Sequence, residues 1–257
     1  MDKLTKYETI ALKDRLKVDW TYTSNAIEGN TISLGDTAYI IQYGLTIKGK
    51  SIAEHNEVIG HAKAIDLIYE MIKKDTITQE DIFLLHKAVQ ANVVIDIECP
   101  MGAYKVVENG RYVKLSDNSA EYMPYPHPND IPYLMSLWFE EFGKIKELVS
   151  LDECVELYTS MHISFTAIHP FFDGNGRLAR LVSNIPLLKS NYLPIIIDNE
   201  EKEEYIQLLS NYNIKAKPLD SSSKTLIEKN EEYKKLKEFF KDQYKNSSRL
   251  LETIRRK

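Results

Sequence analysis

Cysteine is scarce in this sequence: Cys99 and Cys154 cannot build a disulfide framework, which excludes a small secreted scaffold and fits a reduced cytosol. The longest run of aliphatic residues and proline, Leu193–Ile197, is far shorter than the roughly 20 residues that cross a bilayer. The N-terminus, MDKLTKYE, lacks the apolar segment that a signal peptide requires. A net charge of −5 over 257 residues disfavours nucleic-acid binding through a basic surface. We therefore expect a cytoplasmic globular protein with neither a membrane nor a nucleic acid as partner.

Apolar residues at helical spacing dominate what is present. Thr78–Asp81 has the pattern of a capping box that begins a helix. A long apolar helix is predicted over Leu151–His169, and it must end there because Pro170 disfavours helical backbone at the residue before it. Two more helices are predicted over Gly176–Leu188 and Glu200–Asn213. A last helix is indicated by an apolar stripe that includes Tyr233, Leu236, Phe240 and Tyr244.

One segment, Tyr112–Met123, is typical of a β-hairpin. Short apolar stretches at its two ends flank a polar turn predicted at residues 116–121. The sequence contains no internal repeat and no low-complexity linker. We therefore predict a mainly α fold with one hairpin.

The segment from His169 to Arg180 has the parts of a nucleotide site. Gly174 and Gly176 allow a sharp turn whose N–H groups form an anion-binding nest at a helix N-terminus. Arg177 and Arg180 lie three residues apart, so both can reach a polyphosphate from one helical face. Asp173 could hold Mg²⁺ beside the phosphates, and His169 could accept a proton from an attacking hydroxyl near neutral pH. The pattern predicts nucleotide-dependent group transfer.

These residues resemble the signature of the Fic (Fic/Doc) family, His-x-Phe-x-Asp/Glu-Gly-Asn-Gly-Arg-x-x-Arg. A Walker-type P-loop is absent, which disfavours a kinase or GTPase. The resemblance implies a Fic-type helical bundle with the hairpin as its flap, and transfer of AMP from ATP to a Ser, Thr or Tyr hydroxyl of a target protein. Every fixed position of the signature is matched, namely by His169, Phe171, Asp173, Gly174, Asn175, Gly176, Arg177 and Arg180.

The resemblance also implies a role for each matched residue. His169 would be the general base and Asp173 the Mg²⁺ ligand. Asn175, together with the amides around Gly174 and Gly176, would bind phosphate. Phe171 would anchor the loop in the core. The β- and γ-phosphates would be held by Arg177 and Arg180.

A second motif lies far upstream, at Ser24–Asn30. Ser24 and Glu28 share a helical face, and Gly29 is placed to end the helix. A glutamate in the last turn faces the negative end of the helix dipole and needs a cationic partner. The segment resembles the family's inhibitory motif, Ser/Thr-x-x-x-Glu-Gly/Asn, which implies that Glu28 pairs with Arg180 and causes autoinhibition. Its position before the core resembles the class with an N-terminal inhibitory helix.

Further site residues follow from the resemblance through weaker matches. Tyr205 and Asn213 would line the adenine and ribose pocket, with Ile206 where the family often has a second aromatic residue. The flap would bind an extended target segment by strand addition. Its residues expected near the nucleotide are Ser119, Ala120, Glu121 and Tyr122. No metal-ligand spacing is present among His55, His61, His86 and His127.

The implied organisation is an N-terminal helical region (1–75) with the inhibitory motif, a Fic catalytic core (76–220) and a C-terminal helix (221–257). The partners would be ATP and a target protein, and a homo-oligomer stays possible. Two alternatives remain open. In one, Glu28 orients a water that removes AMP from a modified protein. In the other, the chain is a non-catalytic, nucleotide-sensing interaction module.

Overall fold

The computed structural model describes residues 4–90, 98–114, 120–143, 145 and 149–255. Helices dominate this part of the chain, and its only sheet is an antiparallel pair of strands, β1 (Gly110–Lys114) and β2 (Ala120–Pro124). The predicted mainly α fold with one hairpin is therefore confirmed. The helices are α1 (Lys6–Ile27), α2 (Leu34–Tyr43), α3 (Ile52–Met71), α4 (Gln79–Val89), α5 (Ile131–Phe142), α6 (Leu151–Ile168), α7 (Asn175–Val182), α8 (Ile185–Lys189), α9 (Lys202–Lys215) and α10 (Glu231–Arg255).

Helix α6 is the centre of the bundle. It packs against α5, α7, α8 and α10. Because neighbours surround it, it is apolar on most of its faces, as expected for a buried helix. The stripe predicted on α10 is confirmed in part, since Tyr233, Leu236 and Phe240 are buried against α6 and α9. The C-terminal end of α6 is therefore held firmly by the core.

Several predicted helix ends are present in the structure. Thr78 caps α4: its hydroxyl oxygen accepts from the Asp81 N–H at 3.3 Å, and the Asp81 carboxylate accepts from the Thr78 N–H at 3.0 Å. Helix α1 ends with Glu28 as its C-cap, followed by Gly29 at φ +100°. Glycine adopts this left-handed conformation without steric cost, so the predicted stop at Gly29 is confirmed.

The single helix predicted over Gly176–Leu188 is wrong, because the structure divides it into α7 and α8. The break lies at Ser183 and Asn184, just before Pro186. Proline has no N–H and its ring clashes with the carbonyl four residues earlier, so it favours a new helix start. Similarly, the helix predicted from Glu200 begins at Lys202, after a short 3₁₀ turn over Asn199–Glu201.

The hairpin is longer than predicted, since residues assigned to its turn belong to β2. Tyr112 pairs with Tyr122, and Arg111 with Met123. Val113 is buried, whereas Tyr112 and Tyr122 are exposed. Because successive strand residues point to opposite faces, the two tyrosines lie on the face away from Val113. Within the described residues, no helix combines the length and apolarity that crossing a membrane would need.

Candidate active site

The loop between α6 and α7 is shaped by its own residues. His169 ends α6 in a left-handed conformation, at φ 50° and ψ 60°. Phe171 is fully buried and stacks on the His86 ring, with the ring centroids 3.9 Å apart. His86 also binds the loop, since its Nε2 lies 3.2 Å from the Asp173 carbonyl oxygen. Phe171 is thus held in the core by packing against the His86 ring.

The side chain of Asn175 is placed differently from the expectation that it binds phosphate. Its Oδ1 accepts from the Phe171 N–H at 3.0 Å, and its Nδ2 donates to the Phe171 carbonyl at 2.8 Å. Both ends of the amide are therefore used to close the loop, and the side chain is 2% exposed. The local reason is that a glycine-rich turn needs an internal polar clamp. The side-chain amide of Asn175 thus closes the loop in this structure.

The His169 imidazole is half-buried and lies near positively charged side chains. The Tyr125 ring stacks on it, with centroids 3.6 Å apart and an interplanar angle of 5°. Burial and the nearby Lys105 ammonium lower the pKa of His169 to about 3, with a further contribution from Arg111. The hydrogen bond to the Thr166 backbone opposes this shift. The ring is consequently neutral at physiological pH, the form in which a histidine can accept a proton.

Asp173 is held in place yet open to solvent. Its Oδ2 accepts from Gln90 Nε2 at 2.9 Å and from Arg177 at 3.4 Å, while its side chain is 70% exposed. Burial opposes ionisation, but Gln90, Arg177 and the Gly174 N–H outweigh it and lower the pKa of Asp173. A single oriented carboxylate fits Mg²⁺, which proteins often bind through one or two carboxylates together with substrate phosphates. Among the described residues there is no group of three or more side chains that would bind a metal by themselves.

The glycines of the loop make room for close contacts. Gly174 has φ +80°, and a Cβ there would lie 2.7 Å from Gln90 Nε2. A Cβ on Gly176 would lie 2.6 Å from Glu28 Oε1. The Glu28 carboxylate therefore sits against the first turn of α7, where helix N–H groups favour negative charge. Only glycine at position 176 permits this approach.

Arg177 and Arg180 are both buried, at 6% and 3% exposure. The Nε of Arg177 has no hydrogen-bond partner within the described part of the chain. An unsatisfied buried guanidinium nitrogen is costly, and a polyphosphate would satisfy it. Arg177 is thus available for an anionic ligand.

Arg180, by contrast, is bound mainly by residues at the end of α1. It donates to the Ser24 hydroxyl at 3.0 Å, to the Ser24 carbonyl at 2.9 Å and to Glu28 Oε1 at 2.6 Å. It also donates to the Tyr205 hydroxyl at 3.5 Å. Burial alone would lower the pKa of Arg180, but Glu28 and Tyr205 raise it above its ordinary value. The predicted contact between Glu28 and Arg180 is present across 152 residues of sequence.

The three residues expected to line the adenine and ribose pocket do not lie together in the structure. Tyr205 is 3% exposed, and its hydroxyl bonds His162 Nε2 at 3.0 Å as well as Arg180, so it supports Arg180 instead of lining an open pocket. Ile206, also on α9, is 48% exposed. Asn213 does line a cleft, of about 870 Å³, together with Met123 and Tyr125. Of the three, only Asn213 lies beside the hairpin.

The hairpin expectations are corrected in a similar way. Tyr122 shares the outer face with Tyr112, at 5.4 Å between ring centroids, whereas Arg111 and Met123 line the cleft. Ala120 and Glu121 are exposed and belong to β2 rather than to the turn. Ser119 lies outside the described residues. Strand alternation therefore turns Met123, which the sequence did not single out, toward the cleft.

Sequence reasoning missed the residues that support the loop from elsewhere. Gln90 at the end of α4 orients Asp173, and Tyr125 after β2 covers His169. Asn109 donates to the Phe172 carbonyl at 3.2 Å. These contacts join segments separated by tens of residues, so no spacing pattern signals them. Both ring nitrogens of His86 contact backbone groups: Nε2 lies 3.2 Å from the Asp173 carbonyl oxygen, and Nδ1 accepts from the Gly102 N–H at 2.9 Å.

Known proteins resemble this chain in sequence and in fold. Residues 76–187 match the family model described as the Fic/DOC family. The chain is 34% identical over 194 residues to Protein adenylyltransferase Fic of Nematostella vectensis, which covers 75% of this chain and 42% of that protein. It is 34% identical over 190 residues to Protein adenylyltransferase Fic of Aedes aegypti, covering 73% of this chain and 35% of that protein. The chain thus spans less than half the length of these curated relatives.

Solved structures share the fold. A Fic domain containing signaling protein from Bacteroides thetaiotaomicron VPI-5482 superposes with a TM-score of 0.82 at 24% identity, covering 99% of this chain and 92% of that one. Fic-1 of C. elegans superposes with a TM-score of 0.76 at 24% identity, covering 99% and 68%. These structures show the fold alone, whereas the match to the family model identifies residues 76–187 as a domain of the Fic/DOC family.

Proposed function

We propose that this chain is a protein adenylyltransferase that moves AMP from ATP to a side-chain hydroxyl of a target protein, and that it is autoinhibited. The relatives named Protein adenylyltransferase Fic support AMP transfer. The observation that carries the proposal is local to this chain. A neutral imidazole, an exposed carboxylate and two buried guanidinium groups converge on one loop and the helix that follows it.

His169 would act as the general base. The target hydroxyl oxygen attacks the α-phosphorus, and the bond from that phosphorus to the bridging oxygen of pyrophosphate breaks. The hydroxyl proton passes to the His169 imidazole, which is neutral and therefore able to accept it. The products are an AMP-modified side chain and pyrophosphate. The base would come from the left-handed end of α6.

The phosphates would be held by the loop and α7. The N-terminus of α7, with its backbone N–H groups, favours negative charge where it develops in the transition state. Arg177 offers a buried nitrogen that lacks a partner among the described residues. Asp173 would hold Mg²⁺, which when bound neutralises phosphate charge. Since the Asn175 amide clamps the loop, phosphate binding falls to backbone groups and arginines.

Glu28 would suppress this reaction. Its carboxylate occupies both Arg180 and the space against Gly176 at the start of α7. A phosphate that needs either the arginine or the helix N-terminus must displace it. The inhibitory contact is intramolecular and comes from α1, so release requires the Glu28 carboxylate to move away from Arg180.

A second candidate function is AMP removal by the same site. The Glu28 carboxylate is 42% exposed despite its bond to Arg180, so one of its faces can orient a water molecule. Such a water would attack the phosphorus of the AMP group on a modified side chain. The bond from that phosphorus to the side-chain oxygen would break, the oxygen would take up a proton from the water, and AMP and the free hydroxyl would be the products. This reaction would need Glu28, whereas transfer would be inhibited by it.

Mass spectrometry of the intact protein tests the proposal. Wild type, Glu28→Gly and the double variant Glu28→Gly/His169→Ala are incubated with ATP and Mg²⁺. Transfer predicts a mass gain of one or more AMP groups that is largest in Glu28→Gly and absent in the double variant. Equal gain with and without His169 contradicts its role as base. Loss of AMP from a modified protein that stops in Glu28→Gly favours removal instead.

Four sequence predictions stay predictions. These are the domain limits at residues 75 and 220, a cytoplasmic location, binding of a target along the hairpin, and self-association. ATP binding without any covalent product, to the protein itself or to candidate partners, would favour a nucleotide-sensing interaction module.

A further inference from the structure

Residues 105–109 form a strap that runs along the outside of the catalytic loop. The Lys105 N–H donates to the Pro170 carbonyl at 3.0 Å. At its other end, Asn109 Nδ2 donates to the Phe172 carbonyl at 3.2 Å. Lys105 Nζ closes the strap by donating to Asn109 Oδ1 at 2.7 Å. The strap therefore binds the residues that directly follow His169.

Asn109 also closes the open end of the hairpin. Its carbonyl accepts from the Tyr125 N–H at 3.0 Å, one step beyond the pairing of Gly110 with Pro124. One residue thus contacts the catalytic loop with its side chain and the hairpin with its backbone. Any displacement of the base of the hairpin is transmitted to both.

Tyr125, which is bonded to Asn109 through its backbone, contacts the His169 imidazole with its side chain. Its ring lies parallel to His169, with centroids 3.6 Å apart and 5° between the planes. Lys105 Nζ and the Arg111 guanidinium carbon lie 5.5 Å and 5.3 Å from the centroid of the Tyr125 ring, within the range of cation–π attraction. Both cations hold the tyrosine where it covers the histidine.

We propose that Tyr125 is a positioning residue for His169, and that the strap of residues 105–109 fixes it so that the hairpin and the base move as one unit. The inference rests on the proposed role of His169 as general base. Stacking covers one face of the imidazole and restricts rotation of its ring, so that its nitrogen keeps one direction. A target segment seated on the hairpin would then meet the base in a constant register.

The charges around His169 give this arrangement a measurable consequence. Lys105 and Arg111 disfavour the imidazolium form, while Asp173 and the Thr166 backbone favour it. Burial, to which the Tyr125 ring contributes by stacking, is the largest cause of the low pKa of about 3. Loss of the aromatic cover admits water, and the pKa then rises toward the ordinary histidine value of about 6.5.

The test compares Tyr125→Leu with Tyr125→Phe, both in the Glu28→Gly background, through the rate of self-modification at saturating ATP. Tyr125→Leu is expected to lower this rate by roughly 10- to 100-fold, with less than about a threefold change in the ATP concentration for half-maximal rate. Tyr125→Phe keeps the stacked ring and restores most of the rate. In a plot of rate against pH, the acid limb shifts to higher pH only in Tyr125→Leu. Matching rates and matching acid limbs in the two variants overturn the inference.

A readout that needs no reaction separates this inference from the proposed function. The ring proton resonances of His169, assigned by their loss in His169→Ala, are titrated by NMR without ATP. A higher His169 pKa in Tyr125→Leu than in Tyr125→Phe supports the positioning role even where no AMP transfer occurs. An unchanged pKa overturns it. If Tyr125→Leu unfolds, Asn109→Ser is measured against Asn129→Ser, and equal effects of the two overturn the inference.

Discussion

Removal of the Glu28 carboxylate is the perturbation whose size follows most directly from the structure. The Arg180 guanidinium is 4% exposed at its side chain and lies 2.6 Å from Glu28 Oε1, whereas the Glu28 side chain is 42% exposed. A hydrogen bond to a charged group contributes about 1.5–3 kcal/mol. Because water competes for the exposed carboxylate, we expect about 1–2 kcal/mol here. This corresponds to roughly 5- to 30-fold tighter productive ATP binding once the carboxylate is gone.

The size of the effect on ATP affinity should depend on which property of the Glu28 side chain is removed. Glu28→Gly removes both charge and acceptor and should show the full effect. Glu28→Gln keeps an oxygen that can accept from Arg180 but loses the charge, so its effect should be about half of that in free energy. Glu238→Gln removes an exposed carboxylate on α10 and is the matched control.

The assay pairs calorimetric ATP affinity with the rate of AMP incorporation and with thermal unfolding. Without Glu28, Arg180 still donates to Ser24 and Tyr205, so the free energy of unfolding should fall by only about 1 kcal/mol. Affinity and activity therefore rise while stability falls slightly. ATP affinity in Glu28→Gly equal to that of wild type would refute the reasoning, because the ion pair would then not compete with the nucleotide.

Three further substitutions test other contacts. Phe171→Ala should lower the free energy of unfolding by about 3–5 kcal/mol in a denaturant titration, whereas the exposed neighbour Phe172→Ala should cost less than about 1 kcal/mol; equal costs would contradict the anchoring role. Lys202→Met removes a 3.3 Å hydrogen bond to the Ala26 carbonyl in the last turn of α1. Because this bond helps to hold the end of α1 that carries Glu28, its loss should raise AMP incorporation about two- to threefold. An unchanged rate would mean that the bond does not hold this end of the helix. Gln90→Ala frees Asp173 and should raise the Mg²⁺ concentration for half-maximal rate several-fold, measured by metal titration, with no shift expected if Gln90 only fills space.

Local chemistry made part of the site predictable. The turn at Gly174, the end of α6 before Pro170 and the stop of α1 at Gly29 each depend on a few adjacent residues. Backbone preferences act over one to four residues, so a sequence displays them directly. The same reasoning failed at Pro186, where apolar spacing was continued through a residue that interrupts the helix.

The contact between Glu28 and Arg180 was predictable in a different way. Sequence chemistry indicated only that a glutamate at a helix C-terminus needs a cation. The choice of Arg180 came from resemblance to a family motif, and the structure places the two groups in contact. Periodicity shows which face of α1 carries Ser24 and Glu28, but not which helix lies opposite that face.

The sequence by itself determined the helical class, the loop between α6 and α7 and the identity of its chemical groups, because these follow from short-range backbone and side-chain rules. Only the tertiary structure decided how those groups are used. It assigned the Asn175 amide to the loop, buried Tyr205 behind Arg180, and brought Gln90 and Tyr125 to Asp173 and His169. The physical reason is that burial and partner choice depend on how distant helices pack, and packing is a property of the whole core.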